Sequence, residues 1–559
     1  MKAYAISSPT SNSRLLMLLL LALSMLAAVV WANHTFAPKQ SFIVQADNAA
    51  LAVSSVKEVG GKVTHELDII QAVGATLTQH QADQLIASGL VVLADRQAEV
   101  AGPPAPYSDY PSLVGADKLH ANGITGKGVT VAVLDTGAWT NGDILRTAEN
   151  EYRFVETYNA VTDETGGTNI VQDGSGHGTH ITSIIANSET GKHTDLYSGV
   201  APDASLVIVK AFDENGAGSY LDVIRGLDWI VANKDAYGIR VLNLSFSATP
   251  QSYYWDDPLN QAVMRAWDAG IVVVAAAGNQ GPDPMTVGVP GNVPYIITVG
   301  AMTDNYTPDD PSDDTLASFS ATGPTVEGFV KPDVVAPGGH MLGLMASDTY
   351  LADTYPEFYD SAKSYFRMSG TSQATAVVSG IAALMLEANP SLTPDQVKGM
   401  VMASAHPAVN PDGTLGYSVF QQGAGLVDAF DAVNLETPVQ ANVSLNISED
   451  LAGTTHYSGY ASQDEDGNYC LLDPETMVCT DGFIWSGGFI WSGGFIWSGS
   501  FIWSSGFIWS GNQASSDAHI WSGAHIWSGA HIWSGAHIWS GAHIWSGADI
   551  SVNTWVPQE

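Results

Sequence analysis

The chain has 559 residues, 45% hydrophobic and 14% charged, too long for one compact core and long enough for two or three folded units. Its 57 acidic residues against 20 basic ones leave a net charge of −37. That balance repels nucleic acid and anionic membrane and excludes nucleic acid as a partner; its simplest role is solubility, in a salty medium or with bound divalent cations.

Lys2 and Arg14 frame the start of the apolar run Leu15–Val30, and Ala32, with Val30 two positions before it, is a small-residue cleavage point. This is the layout of a secretory signal over 1–32, and it predicts a secreted, extracellular protein. The run is longer than a usual signal core, so an uncleaved anchor at a cell surface is the alternative. Residues 33–104 read as a separate small α+β segment. "SFIVQ" (41–45) and "GLVVLADRQAEV" (89–100) are predicted strands, and "TQHQADQLIASG" (78–89) a short helix ending at a glycine. "AGPPAPYSDYP" (101–111) is a Pro-rich link.

Residues 105–435 alternate strand and helix. "GVTVAVLDTG" (128–137) is an apolar, β-branched run stopped by Gly137. "YLDVIRGLDWIVANKDAYG" (220–238) spaces Leu221, Ile224, Leu227, Ile230 and Val231 along one helical face and ends at Gly238. "IRVLNLSFS" (239–247) is a strand, "DPLNQAVMRAWDAG" (257–270) a helix, and "IVVVAAAGN" (271–279) the next strand. Nearly continuous apolar strands separated by helices predict an α/β domain, a mostly parallel sheet covered by helices on both faces. Sites in such sheets form at the carboxyl ends of strands.

Three segments carry chemistry, and their order matters. Asp135 closes the strand "VAVLDTG", His177 sits in "DGSGHGTHITSIIA", and Ser372 sits in "SGTSQATA". Singly, each has an ordinary structural reading: a turn, a helix cap, a tight packing position. Together they supply a nucleophile, a base and an orienting carboxylate. Gly176 and Gly178 leave room around His177, and the run Ile181–Ala186 predicts a buried helix behind it. Ser372 opens a helix whose free N–H groups and dipole favour developing negative charge. Asn279, just past the strand in "VVVAAAGNQG", offers an amide as a second donor, although Asn-Gln-Gly also makes a good turn.

"VAVLDTG", "HGTH", "VVVAAAGN" and "GTSQATA", in that order, resemble the blocks of the subtilisin-like serine proteases, the subtilases. "GVAPDASLVIVKAF" (199–212), "KPDVVAPG" (331–338) and "GAGLVDAFDAV" (423–433) are similar to further stretches of that family, so the resemblance spans about 105–435. It implies a subtilisin-like fold and peptide-bond hydrolysis through an acyl-enzyme, with Ser372 as nucleophile, His177 as base then acid, and Asp135 as orienter. No cofactor is required for that chemistry. The resemblance also places an extended protein or peptide substrate beside Ser245, Phe246 and Ser247, with Ala276, Ala277 and Gly278 walling the first specificity pocket. Residues 33–104 fit the family's propeptide, a folding aid and inhibitor cut off near the Pro-rich link. Subtilases often bind structural calcium; "DNYTPDDPSDDT" (304–315) and "SQDEDGN" (462–468) hold clustered carboxylates, with solvated loops as the alternative. Four positions depart from the family pattern: Gln373 and Ala376, where Met and Pro are usual, and Ser247 and Ala248, where Gly is usual. Gln373 puts a polar group behind the nucleophile, which needs a partner.

Residues 436–480 read as a linker or small β module, with Cys470 and Cys479 as a local disulfide or a reduced pair. Hexapeptide repeats fill 481–549, "FIWSGG"-type units from Trp485 to Trp509 and "HIWSGA" units from Trp521 to Trp545, followed by a tail, 550–559. An even repeat stacks identical side chains in ladders, as in a β-rich solenoid. A spacer, contact with a cell surface or matrix through the tryptophans, and metal binding by the His519–His543 ladder are the open readings. The rival to a protease is a catalytically dead scaffold that acts as a surface-binding or structural protein through these repeats.

Overall fold

The structure, a computed structural model, describes residues 39–67, 70–94, 109–190, 196–308, 310–410, 414–464, 467–472, 478–480, 512–514, 549–552 and 556. The signal segment, the Pro-rich link up to residue 108 and nearly all of the repeats lie outside these residues. The chain divides into two compact units, 1–105 and 106–559.

In the first unit β1 (Lys39–Gln45), β2 (Lys62–Leu67), β3 (Ala72–Thr78) and β4 (Val91–Ala94) form one sheet in the order β2-β3-β1-β4, with its pairings antiparallel. Helices α1 (Ala49–Glu58) and α2 (Gln79–Ala87) complete it. Phe42, Val44, Val56, Leu77 and Leu85 make a small core. Alternation along β1 puts Phe42 and Val44 inward, and Thr78 and Gln81 close α2 with a reciprocal capping box. The sequence reading found β1, α2 and β4. It missed α1 and the β2–β3 pairing; Lys, His and Glu break the apolar pattern of β2 and a glycine interrupts β3.

The second unit is built on nine strands. Its strands include β5 (Thr130–Asp135), β6 (Phe154–Asn159) and β7 (Ser205–Lys210). Next come the short β8 (Ala217–Ser219), outside the main sheet, then β9 (Ile239–Leu244), β10 (Val272–Ala276), β11 (Ile297–Thr303) and β12 (Val334–Pro337). Parallel pairing joins β6-β7-β5-β9-β10-β11-β12, and two-residue antiparallel edges, Glu164–Thr165 and Thr315–Leu316, flank it. The mostly parallel sheet expected from the apolar runs is therefore present. Strand β9 stops at Leu244, short of the predicted Ser247, because Ser245–Ser247 turn toward the site.

Helices α3 (His177–Ala186), α4 (Tyr220–Tyr237), α5 (Pro258–Asp268), α6 (Thr371–Ala388) and α7 (Pro394–Ala403) follow the strands. Register fixes the faces they occupy. Gly226 of α4 sits against Leu134 and Val209, whereas Ser379 of α6 donates to Asn243 of β9. Asn243 is level with Val133, so its side chain lies on the face opposite to Leu134. Helices α4 and α6 therefore cover opposite faces, and Asp135 shares the α6 face with Val133. On α4 the inward stripe is Val223, Gly226, Leu227 and Ile230; Leu221, expected inside, is exposed. The stripe is turned because Gly226, absent from the expected stripe, packs directly onto Leu134 and Val209.

Residues 436–480 do not stand apart. Asp450 accepts hydrogen bonds from the Tyr254 and Tyr295 hydroxyls, and Tyr457 and Leu471 belong to the main core. Cys470 and Cys479 are disulfide-bonded, with Cα atoms 5.5 Å apart. Residues 549–551 form β13, which pairs with β8, and Ile550 is fully buried; the sequence reading treats this stretch as the end of the repeats and a tail.

Candidate active site

Asp135 is the last residue of β5 and is completely buried. Its Oδ1 accepts from the Thr136 backbone N–H at 2.7 Å and lies 2.7 Å from His177 Nδ1. The chain then turns at Gly137, where φ is 120° and a Cβ would come within 2.3 Å of the Val171 carbonyl oxygen. Only glycine fits there, and that turn leaves the carboxylate at the lip of the sheet.

His177 begins α3 and is buried. Gly178 beside it lets the helix end press onto the strand end; a Cβ there would meet the Gly137 carbonyl oxygen at 2.2 Å. A residue that sequence reasoning missed clamps this junction. Buried Asp173 accepts from the Gly176 N–H (2.8 Å) and the Thr136 hydroxyl (2.8 Å) with Oδ1, and from the Thr179 N–H (2.7 Å) and hydroxyl (2.6 Å) with Oδ2. One carboxylate thus ties the β5 end to the first turn of α3. Its signal in the sequence was an Asp four residues ahead of His177, at an incipient helix start where acids satisfy free N–H groups.

Ser372 is the second residue of α6. Its hydroxyl donates to the Ser245 carbonyl at 3.0 Å, not to the imidazole. The Ser245 hydroxyl in turn donates to the Ser372 carbonyl (2.9 Å) and accepts from Asn243 (2.9 Å), whose Oδ1 accepts from Ser379. A buried polar chain thus runs beneath the serine.

Asn279 follows β10. Its Oδ1 accepts from the Thr371 N–H (3.0 Å) and hydroxyl (2.8 Å), and the Thr371 hydroxyl also accepts from the Gly278 N–H (3.2 Å). With Oδ1 so engaged, Nδ2 is the group left to donate. Ser372 and Asn279 line one cavity of about 280 Å³ with Phe246, Ser247, Ala276, Gly278 and Gly288. Ser245 stands behind it as the hydrogen-bond partner of Ser372. Ala277 does not line it; it is fully buried with Val287 and Ala321, because strand alternation turns it away from Ala276 and Gly278. Ser247 Oγ occupies the space over two glycines: a Cβ would approach it to 2.8 Å from Gly278 and 2.0 Å from Gly288.

Among the described residues the 304–315 and 462–468 acids are largely engaged with their own loops, as in Asp310 with Ser312, Asp313 with Thr307, and Asp464 with Asn468. Burial, then Asp304 and its neighbours, push the Asp314 carboxyl up to about 6. The trio that does converge is His406, Asp428 and Asp431 on the surface, an arrangement able to hold a divalent cation.

A carboxylate fixed on an imidazole, a serine at a helix start and a nearby amide are the parts that acyl transfer through a serine requires. Residues 126–425 match the subtilase family profile. The chain is 40% identical over 325 residues to serine protease AprX of Bacillus subtilis (strain 168), covering 57% of this chain and 69% of that one. It is 32% identical over 435 residues to subtilisin E of the same organism, covering 75% of this chain and 98% of that one. Among solved structures it is similar to fervidolysin from Fervidobacterium pennivorans, described as a keratinolytic enzyme related to subtilisin, at 23% identity and a TM-score of 0.47 over 73% of this chain and 63% of that one. The chain belongs to the subtilase family. It is a subtilisin-like serine protease, a hydrolase that needs no cofactor for its reaction.

Proposed function

We propose that the chain is a secreted endopeptidase that cuts peptide bonds in proteins through Ser372, His177 and Asp135. The observation that carries this reading is the 2.7 Å contact between Asp135 Oδ1 and His177 Nδ1, both buried, with the helix that His177 begins packed against the helix that presents Ser372. Asp135 holds the Nδ1–H tautomer and leaves the Nε2 lone pair as base. Ser372 Oγ, turned from the Ser245 carbonyl about its Cα–Cβ bond, attacks the scissile carbonyl carbon as its proton passes to Nε2. The Ser372 N–H and Asn279 Nδ2 receive the oxyanion. Collapse breaks the C–N bond, and His177 gives its proton to the departing amine. Water then repeats the sequence in reverse and frees the carboxyl product.

Residues 1–32 act as the signal and 33–104 as an inhibitory propeptide that the enzyme removes by cutting near 101–111. An extended substrate lies against Ser245–Ser247, Ala276 and Gly278. The 481–549 repeats are the surface for cell or matrix contact.

The test expresses the chain from residue 33, wild type beside Ser372→Ala. Loss of the 33–104 segment in the wild type alone, with hydrolysis of a chromogenic peptide blocked by a serine-directed inhibitor, is the expected result. If both proteins stay whole and neither cleaves an unfolded protein, the triad assignment fails and the repeats become the functional part.

A further inference from the structure

Strand β13 pairs antiparallel with β8, with Ile550 opposite Gly218, and the Val552 N–H donates to the Gly216 carbonyl at 2.9 Å. Ile550, Val552 and Val556 are buried in the main core. Val552 also lines the cavity that holds Ser372 and Asn279. Residues more than 170 positions downstream of the serine thus run along a strand edge into the mouth of the candidate active site.

The chemistry of that edge suits an added peptide. Gly218 has no room for a side chain, since a Cβ would strike the Phe212 ring at 2.6 Å and the Ala211 carbonyl at 2.9 Å. The edge therefore offers bare main chain, and recognition falls to backbone hydrogen bonds plus pockets for alternate side chains. Ile550 and Val552, two apart, supply those alternate apolar side chains.

We propose that the segment 549–552 is an intramolecular ligand of the substrate groove, competing with peptide substrates for β8 and for the cavity before Ser372. This rests on the reading of that cavity as the substrate site. The ladder spans three residue pairs, short enough to be displaced, and covalent linkage supplies the high effective concentration that such a weak pairing needs. Its role is to raise the substrate concentration at which the enzyme works, without touching the chemistry.

The test compares the chain from residue 33 with a version ending at Ala548 and with Ile550→Asp, each counted by titration with a serine-directed phosphonate. On a short chromogenic peptide, both changes are expected to lower apparent KM by about tenfold at unchanged kcat. A synthetic peptide of residues 548–559 added to the shortened enzyme is expected to restore the higher KM competitively. Unchanged KM, or a fall in kcat at constant KM with loss of folded protein by circular dichroism, overturns the proposal and leaves β13 a structural strand. If no version titrates or turns over, the triad reading has failed, and binding decides separately. Anisotropy of the labelled 548–559 peptide on Ser372→Ala ending at Ala548 then supports the groove ligand if binding saturates and a long unlabelled substrate displaces it. Absence of binding at millimolar peptide overturns it.

Discussion

Gln373 Nε2 faces His180 Nδ1 at 3.5 Å in the interior directly behind the nucleophile. His180 Nε2 lies 3.1 Å from the Phe366 carbonyl and 3.3 Å from that of Met341, so Nε2 carries the proton and Nδ1 is the acceptor for the Gln373 amide. The Gln373 Oε1 atom is buried without a hydrogen-bond partner. The polar side chain therefore finds one long contact and leaves one acceptor unsatisfied, a cost of about 1–3 kcal/mol. Gln373→Met is expected to raise Tm by a few degrees while kcat/KM stays within a few-fold. A lower Tm in a thermal melt, in the Ser372→Ala background to prevent self-digestion, overturns this account.

His180 sets an acid limit on stability. Burial first, and His177 second, push its pKa down to about 3, while an imidazole in the unfolded chain titrates near 6.5. Between those values the unfolded chain binds the extra proton, so stability rises with pH and is lost as pH falls through that window. Glu327, pushed up to about 7 by burial, has the opposite sign. Comparing denaturation midpoints of parent and His180→Gln cancels Glu327 and every other shared group. The slope of stability against pH is expected to be less positive in the variant than in the parent, by up to one proton, between about 3 and 6.5; equal slopes would falsify the assignment.

Asn279 has two duties that two substitutions separate. Its Oδ1 fixes Thr371 at the start of α6, and its Nδ2 is the proposed donor toward the oxyanion. Asn279→Asp keeps the acceptor and removes the donor. We expect both Asn279→Asp and Asn279→Ala to lower kcat by about 10²–10³-fold at nearly unchanged KM, a magnitude established for subtilisin itself. The Asp variant should keep the parental Tm. A kcat loss confined to the Ala variant would mean that Asn279 only holds the helix.

Ser247 narrows the cavity above Gly278 and Gly288. Ser247→Gly is expected to favour bulky aromatic side chains before the cut bond over small ones. A gain of roughly tenfold in the ratio of kcat/KM values corresponds to about 1.4 kcal/mol of pocket packing. Profiling with paired chromogenic peptides measures this ratio, and no change means that Ser247 lies off the side-chain path.

The sheet was legible because its central strands are nearly continuous β-branched runs, and Asp135, His177 and Ser372 stood out as candidates because each lies at the end or start of an apolar run with glycines nearby. Asp173 was less visible. Three of its hydrogen bonds depend on Thr136 and Thr179 meeting across a junction that no local pattern announces. Leu221 misled because helical spacing gives a stripe but not its rotation, which Gly226 sets through contact with Leu134. Ala277 misled for a similar reason: adjacency to Ala276 in sequence is opposition in a strand. β13 was missed because three residues, "DIS", carry no periodicity and gain a partner only from β8, more than 300 positions away.

The Ser372 hydroxyl rests on the Ser245 carbonyl. In the proposed mechanism a turn about the Cα–Cβ bond must precede attack, so a small reagent that ignores the groove would meet a rate scaled by the turned fraction. A peptide bound beside Ser245, as proposed, would compete for the same carbonyl and favour the turned side chain. Such an enzyme would discriminate between indiscriminate electrophiles and the chains it cuts through one torsion angle.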